Sequence, residues 1–174
     1  MDTPLDIEGL RIREERAADL SDISRITTNA FAPMPFSGGT EAQIIEALRV
    51  AGALAVSLVA TSGDELVGHV AFSPVRIDDR SGTWYALGPV SVAPQTQSRG
   101  IGGALILHGL DVLRKRQAGG CVLLGAPAYY GRFGFVSDPT LTYQGRPNRF
   151  FQRLFLNDSE IAGDVAYHPA FDVS

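Results

Sequence analysis

Residues Val90–Gly103 read V-S-V-A-P-Q-T-Q-S-R-G-I-G-G, and this stretch decides the fold. Its apolar residues predict a strand over Leu87–Val92, followed by a short polar turn and a helix over Gly100–Gln117. A turn of this kind leaves backbone N–H groups unpaired at the start of the helix, beside the positive end of its dipole. The stretch therefore predicts a place where an anion meets the main chain.

The glycines and charges around this turn indicate which anion it would hold. Gly100, Gly102 and Gly103 have no Cβ atom, so a bulky group can approach the backbone closely. The helix has no acidic residue before Asp111, whereas basic residues 114–116 crowd its other end. We expect a phosphate or a pyrophosphate here. The alternative is a tight turn whose glycines only permit close packing.

Two segments match the signature of a known family. Gln97–Gly102 resembles the Q/R-x-x-G-x-G/A motif of the GCN5-related N-acetyltransferases (GNAT), and Tyr130–Phe135 resembles their Y-x-x-x-G-F segment. The resemblance covers residues 10–137 and is greatest to an uncharacterised bacterial subgroup with L-G-P at the start of the signature strand. It implies that the protein binds acetyl-coenzyme A (acetyl-CoA) and moves the acetyl group to an amine.

The resemblance also implies which residues form the site. The Tyr130 hydroxyl would be the general acid for the departing thiolate, and the backbone N–H of Val92 would polarise the thioester carbonyl. Tyr130 could instead only pack against the cofactor, and Tyr129 is a weaker candidate because neighbouring side chains diverge in an extended segment. The implied cofactor contacts are Val90, Ser91, Val92, Gln97, Ser98, Arg99, Gly100, Ile101, Gly102, Gly103, Ala104, Tyr129, Tyr130 and Phe133.

No general base can be named from the sequence. Leu87–Val92 contains no ionisable side chain, and Ser91 is too weak a base unaided. His69 has a suitable pKa, although a lone histidine on a strand is more often structural. A water relay, or an amine that arrives already neutral, fits the same pattern.

The acceptor is expected to be a small-molecule or peptide amine bound beside the Ala32–Gly39 loop and Thr142–Arg149. Arg146, Arg149 and Arg153 make the tail locally basic, which would favour an anionic acceptor. Exposed arginines in solvent explain the same composition.

Two other functions share parts of the pattern. A non-catalytic acyl-CoA sensor would need the turn and a cleft but no general acid. A dinucleotide-binding oxidoreductase would need glycines spaced G-x-G-x-x-G, whereas neither position 106 nor the residues just before Gly100 carry one. We rank the acetyltransferase first because it accounts for both signature segments.

Composition limits the class of protein. The 174 residues, with 45% hydrophobic and 20% charged residues, fit a single globular domain over residues 1–174. A net charge of −4 argues against a nucleic-acid partner, and no apolar run is long enough for a membrane span. Cys121 cannot form an internal disulfide, and His108 and His168 show no metal-ligand spacing. Since Met1–Gly9 lacks a secretion pattern, we expect a cytoplasmic monomer or homodimer without a metal.

Apolar alternation predicts the remaining elements. A helix is expected to begin at Asp19, and a turn over Asp78–Gly82. Residues 138–174 would add C-terminal strands on the acceptor side. The predicted strands are Leu10–Arg13, Ala55–Ala60, Leu66–Phe72, Trp84–Val92 and Val122–Leu124.

The fold class that follows is α/β (α+β), a GNAT-like mixed, mostly antiparallel central sheet with flanking helices. The helix over Gly100–Gln117 would connect Trp84–Val92 to Val122–Leu124 as parallel neighbours. Pro89 cannot donate to a ladder, so we expect a bulge at Gly88-Pro89 that splays these two strands and opens a cleft.

Overall fold

A mixed β-sheet organises the chain in the computed structural model, which describes residues 9–158 and 161–174. The prediction that no secretion signal is present concerns residues 1–8, outside the described part. No helix in these two ranges is long and apolar enough to cross a membrane. The strands are β1 (Leu10–Glu14), β2 (Val56–Ser62), β3 (Glu65–Ile77), β4 (Arg80–Val92), β5 (Gly120–Leu124), β6 (Val136–Ser137), β7 (Leu141–Tyr143), β8 (Phe151–Phe155) and β9 (Gly163–Ala166). The α-helices are α1 (Leu20–Phe31), α2 (Glu41–Val50), α3 (Ile101–Lys115) and α4 (Pro127–Tyr130).

The sheet is largely antiparallel, as predicted. Its strands lie in the order β1-β2-β3-β4-β5-β8-β6, and β9 pairs with both β3 and β7. The β4–β5 pair is parallel because α3 connects these strands as a crossover, and β7 and β9 also run parallel. The predicted mixed sheet with flanking helices is therefore confirmed.

The hairpin between β3 and β4 is longer than its sequence suggested. The predicted turn over residues 78–82 is wrong in extent, because Arg80 pairs with Ile77 and Ser81 pairs with Arg76. Asp78 and Asp79 alone make the turn, with φ angles of 49° and 60°. Two residues with positive φ match the twist of the flanking strands, so the strands can pair right up to the turn.

The predicted bulge and splay both occur in the middle of β4. Ala71 of β3 stands opposite two residues of β4, since Val70 pairs with Val90 while Phe72 pairs with Leu87. Pairing of β4 with β5 ends where Ala86 meets Val122. Beyond that pair the two parallel strands separate, and the gap between them forms the cleft described below.

Helices cover both faces of the sheet. The apolar side chains of α3 pack on one face against β2, β3 and β5, and those of α1 and α2 pack on the other. Gly109 of α3 lies directly on the Phe72 ring, which a Cβ atom at this position would overlap. This close contact fixes how near α3 lies to the sheet, and thereby where its first turn sits relative to β4.

Candidate active site

The chain passes from β4 to α3 through the turn predicted to bind an anion. A 3-10 turn, Pro94–Thr96, follows the strand, and Gly100 is the N-cap residue of α3. Gly100 has a φ of 84°, in the left-handed region that glycine enters without strain. Because glycine has no side chain, the N-cap supplies no oxygen to the first-turn N–H groups. These donors face outward without a side-chain cap of their own.

The charges on α3 leave its N-terminus positive. No acidic residue stands in the first turn, and Arg114 and Lys115 stand in the last turn. A charge near a helix end typically contributes about 0.3–1 kcal/mol through the dipole. The predicted charge asymmetry is confirmed, and an external anion would find the positive end uncompensated.

The separated part of β4 offers its main chain to the gap. The Ala93 N–H donates to the Val67 carbonyl at 2.8 Å, so these two residues form a hydrogen-bonded pair of the β3–β4 ladder. Because antiparallel pairs alternate, the N–H groups of Val90 and Val92 point away from β3, towards the gap. The Val92 carbonyl accepts a bond from Gln97 Nε2 at 3.0 Å. That bond ties the end of the strand to the start of the turn.

A cavity of about 800 Å³ lies where the turn, the gap and the loop after β5 meet. Most of the predicted cofactor contacts line it, and Ala30, Met34 and Arg132 join them. Ser91, Arg99 and Ala104 lie outside this lining: the Ser91 side chain is buried beneath α1, where its hydroxyl meets that of Thr27 at 3.2 Å. The predicted contacts in the lining are Val90, Val92, Gln97, Ser98, Gly100, Ile101, Gly102, Gly103, Tyr129, Tyr130 and Phe133.

An aromatic wall closes the far side of the cavity. Tyr129 and Tyr130 belong to the helical turn α4, so the argument that Tyr129 points elsewhere in an extended segment is wrong. Their ring centroids lie 4.9 Å apart, and Tyr129 lies 5.5 Å from Phe133. Gly125 abuts the Tyr130 ring, and a Cβ atom there would overlap it. The missing side chain at Gly125 thus gives Tyr130 its position.

Burial keeps both tyrosines protonated. Desolvation raises the pKa of Tyr130 to about 12, and the neighbouring Tyr129 adds to the effect. Desolvation also raises the pKa of Tyr129, while the Arg132 guanidinium, 4.4 Å from its ring centroid, acts in the opposite direction. Tyr130 therefore carries its proton at every pH at which the protein would be assayed.

A second cleft, of about 600 Å³, adjoins the first. Its lining includes parts of both segments predicted to meet an acceptor, together with residues from β9 and the 3-10 turn Pro169–Asp172. Met34, Val90 and Tyr130 line both spaces. These three residues mark the junction at which a group held in one space meets a molecule held in the other.

A family model described as an acetyltransferase (GNAT) domain matches residues 11–137. This range covers most of the chain and contains both signature segments. The chain belongs to the GNAT acetyltransferase family. It is an acyltransferase of the acetyl-CoA-dependent kind, as the resemblance implied.

Several relatives of this GNAT domain are similar over most of its length. A GNAT acetyltransferase from Brucella melitensis, solved in complex with acetyl-CoA, shares 47% identity with a TM-score of 0.84, covering 94% of this chain and 98% of its own. The structure of YhbS from Escherichia coli in complex with CoA has 31% identity and a TM-score of 0.85, with coverage of 94% and 92%. The curated sequence of YhbS from strain K12, named an uncharacterized N-acetyltransferase, is 32% identical over 144 residues, 79% of this chain and 86% of its own.

His69 is not placed to act as a base in this GNAT domain. Its side chain is fully buried and does not line the 800 Å³ cavity, and Nε2 lies 2.8 Å from Ser57 Oγ. Desolvation, assisted by the Arg49 charge, lowers its pKa to about 3. The interpretation of His69 as a structural residue is favoured, and the hypothesis that it is the general base is wrong.

Cys121 is likewise remote from the chemistry. Its thiol is buried in the core, and desolvation raises its pKa far above the ordinary value. A protonated, inaccessible thiol cannot form a covalent acyl intermediate. In residues 9–158 and 161–174 no three His, Cys, Asp or Glu residues come together as metal ligands.

The basic tail does not face the second cleft. Arg146 and Arg149 line a separate surface hollow with Phe150, and Arg149 stacks on the Phe150 ring at 4.5 Å. Arg153 forms an ion pair with Asp138 at 2.9 Å. The suggestion that these arginines make the acceptor site basic has no support in this arrangement.

Sequence reasoning missed the charged residues that do line the second cleft. They are Glu41, Asp164 and Asp172, which come from three elements far apart in the chain. No local spacing connects them, so only the tertiary fold reveals them as neighbours of one space. In the sequence, Glu41 after Thr40 is explained by the start of a helix, because an acidic residue there interacts favourably with the helix dipole.

Proposed function

We propose that this protein transfers the acetyl group of acetyl-CoA to a primary amine by direct attack, with both substrates bound at once. The co-substrate would occupy the 800 Å³ cavity and the acceptor amine the adjoining cleft. The observation that carries the proposal is the shared wall of Met34, Val90 and Tyr130, because direct transfer requires the two substrates to touch.

The backbone of the turn would hold the pyrophosphate of the co-substrate. The N–H groups at the start of α3 supply donors, and the positive end of the helix favours the charge. A Cβ atom at Gly102 would lie 3.6 Å from Val92 Cγ2 and 3.7 Å from the Tyr129 hydroxyl, so it would project into the cavity. Glycine at 102 thus keeps open the space between β4 and the aromatic wall.

The free edge of β4 would bind the pantetheine arm and the thioester. The outward N–H groups of Val90 and Val92 can pair with amides of the arm as an added strand would. We assign the Val92 N–H to the thioester oxygen, where one such donor is typically worth about 3 kcal/mol in the transition state. Negative charge on that oxygen increases as the amine attacks, so the bond strengthens during the reaction.

Tyr130 would complete the proton balance. The amine nitrogen bonds to the carbonyl carbon, the carbon–sulfur bond breaks, and sulfur leaves with the electron pair. Tyr130 donates its proton to that sulfur, and the proton released by the nitrogen restores the balance. Because its pKa is raised to about 12, the Tyr130 hydroxyl carries its proton before each turnover.

The proposal is tested by measuring free-thiol release from acetyl-CoA in the presence of primary amines. We expect release that depends on the amine and saturates with both substrates, with no acetylated enzyme on intact-protein mass spectrometry. Tight binding of acetyl-CoA without release for any amine would contradict the proposal and indicate an acyl-CoA sensor instead.

A further inference from the structure

The second cleft has an unbalanced charge. Three carboxylates contribute to its lining: Glu41 at the start of α2, Asp164 on β9 and Asp172 at the end of a 3-10 turn. Among the described residues that line it, none is Lys, Arg or His. A cation inside this cleft would therefore have three acidic residues and no basic residue among its described neighbours.

None of these carboxylates is neutralised by an ion pair with a described residue. Asp164 Oδ1 accepts bonds from Thr142 Oγ1 at 2.7 Å and from the Gly145 N–H at 2.8 Å. Glu41 Oε1 accepts a bond from Ser37 Oγ at 2.6 Å. The Asp172 side chain makes no hydrogen bond or ion pair within the described part of the chain, so its carboxylate is available to a ligand.

Aromatic rings also line the second cleft. Tyr167 lies 5.3 Å from Tyr143 and 5.0 Å from Phe171, measured between ring centroids. A cation above such faces is attracted by their quadrupoles. The Tyr167 hydroxyl is completely buried and has no hydrogen-bond partner among the described residues, although Tyr167 belongs to the cleft lining. Because the hydroxyl has no accessible surface, Tyr167 would contact a ligand through its ring.

We infer that the acceptor is an aliphatic amine that carries a second ammonium group, held by Asp172, Glu41 and Asp164 over the Tyr143–Tyr167–Phe171 rings. The reacting nitrogen must be neutral to attack, so it cannot by itself satisfy an acidic cleft. A second ammonium keeps its charge throughout the reaction and anchors the chain. The inference rests on the proposed function, because it takes this cleft as the acceptor site.

Three acceptors of equal chain length distinguish the effect of charge on kcat/KM from the effect of shape. They are 1,5-diaminopentane, pentylamine and 5-aminopentanoate. They present an ammonium, a methyl group or a carboxylate at the far end. We expect kcat/KM for thiol release to be at least about tenfold higher for the diamine than for pentylamine, and lowest for the aminopentanoate. Equal values for the first two, or a preference for the carboxylate, would overturn the inference.

Two substitutions test whether Asp172 causes the preference for the diamine. Asp172→Asn should lower kcat/KM for the diamine about tenfold while leaving pentylamine nearly unchanged. Asp22→Asn is the matched control, because Asp22 pairs with Arg25 at 2.8 Å on the exposed face of α1. Equal losses for diamine and pentylamine in Asp172→Asn would contradict the assignment.

Calorimetry with 1,5-diaminopentane and the protein saturated with CoA distinguishes this inference from the proposed function. Failure of CoA itself to bind would refute the proposed function. Binding of CoA without binding or acetylation of the diamine would refute only the inference about the acceptor.

Discussion

In the proposed mechanism the proton donor is Tyr130, because among the three residues that line both spaces it alone carries a hydroxyl group. Tyr130→Phe should lower kcat by well over tenfold, to about 100-fold, with the Kd of acetyl-CoA little changed. The ring and its packing against Gly125 are retained, so only the proton donor is lost. Stopped-flow thiol release and calorimetry measure the two quantities separately.

Tyr129→Phe is the matched comparison for Tyr130→Phe. Tyr129 lines only the first cavity and its hydroxyl lies beside Gly102, so its loss should affect kcat less than that of Tyr130. If Tyr130→Phe turned over as fast as the unaltered protein, the general-acid role would be refuted.

His69 sets a pH dependence of stability rather than of catalysis. Burial lowers its pKa from 6.5 to about 3, so below pH 6.5 the unfolded chain binds a proton that the folded chain does not. The free energy of unfolding should therefore fall as the pH falls, by about 2 kcal/mol between pH 6.5 and 4.5. Urea unfolding at several pH values measures this change.

His69→Gln removes the group that titrates in this window. The variant should be less stable at pH 7, because the bond to Ser57 Oγ is altered, but its stability should vary less between pH 6.5 and 4.5. Parallel pH curves for the variant and the unaltered protein would show that His69 is not the source of the slope.

Among the elements, α3 contains two glycines that differ in whether a side chain would fit. At Gly102 a Cβ atom has room, with its nearest contact at 3.6 Å, whereas at Gly109 it would overlap the Phe72 ring. Gly102→Ala should keep or raise stability by up to about 1 kcal/mol, since alanine favours the helix. Gly109→Ala should cost about 1–3 kcal/mol through overpacking. Thermal unfolding of the two variants checks this difference, and equal melting temperatures would contradict it.

The turn that we propose binds the anion could be predicted from sequence because its signals are local. Glycines at 100, 102 and 103 and the delayed first acid at Asp111 are neighbours in the chain, and the turn occurs where they place it. The bulge at Gly88-Pro89 was predicted for the same reason, since proline lacks the N–H that a central strand needs. The helical turn α4 was not predicted, because residues 127–130 are too few to show a period.

In the whole molecule, the cleft that we propose holds the acceptor could not be predicted. Its lining runs from Phe31 to Asp172, and residues this far apart meet only through the pairing of β9 with β3 and the packing of α2. One of the two readings of the arginine-rich tail was a basic acceptor site, whereas acidic residues line the cleft and the three arginine side chains lie elsewhere. Charge in a site is set by where side chains lie, which the sequence order does not record.

Occupation of the cavity should stabilise the whole fold. A ligand that binds only the folded chain adds about 2.7 kcal/mol at a concentration of 100 times its Kd. For a chain of this size that corresponds to a rise in melting temperature of about 5–10 °C. Differential scanning fluorimetry with and without CoA measures the shift, and an unchanged melting temperature at saturating CoA would contradict it.

The central claim is that the first turn of α3 holds the diphosphate of the co-substrate. Calorimetric titration of Gly102→Val with CoA tests it most directly, with melting temperature as the check on folding. The account predicts a folded variant whose CoA affinity has fallen at least about 100-fold, because the valine side chain fills the space between Val92 and Tyr129. A folded variant that binds CoA as tightly as the unaltered protein would place the co-substrate elsewhere and contradict the account.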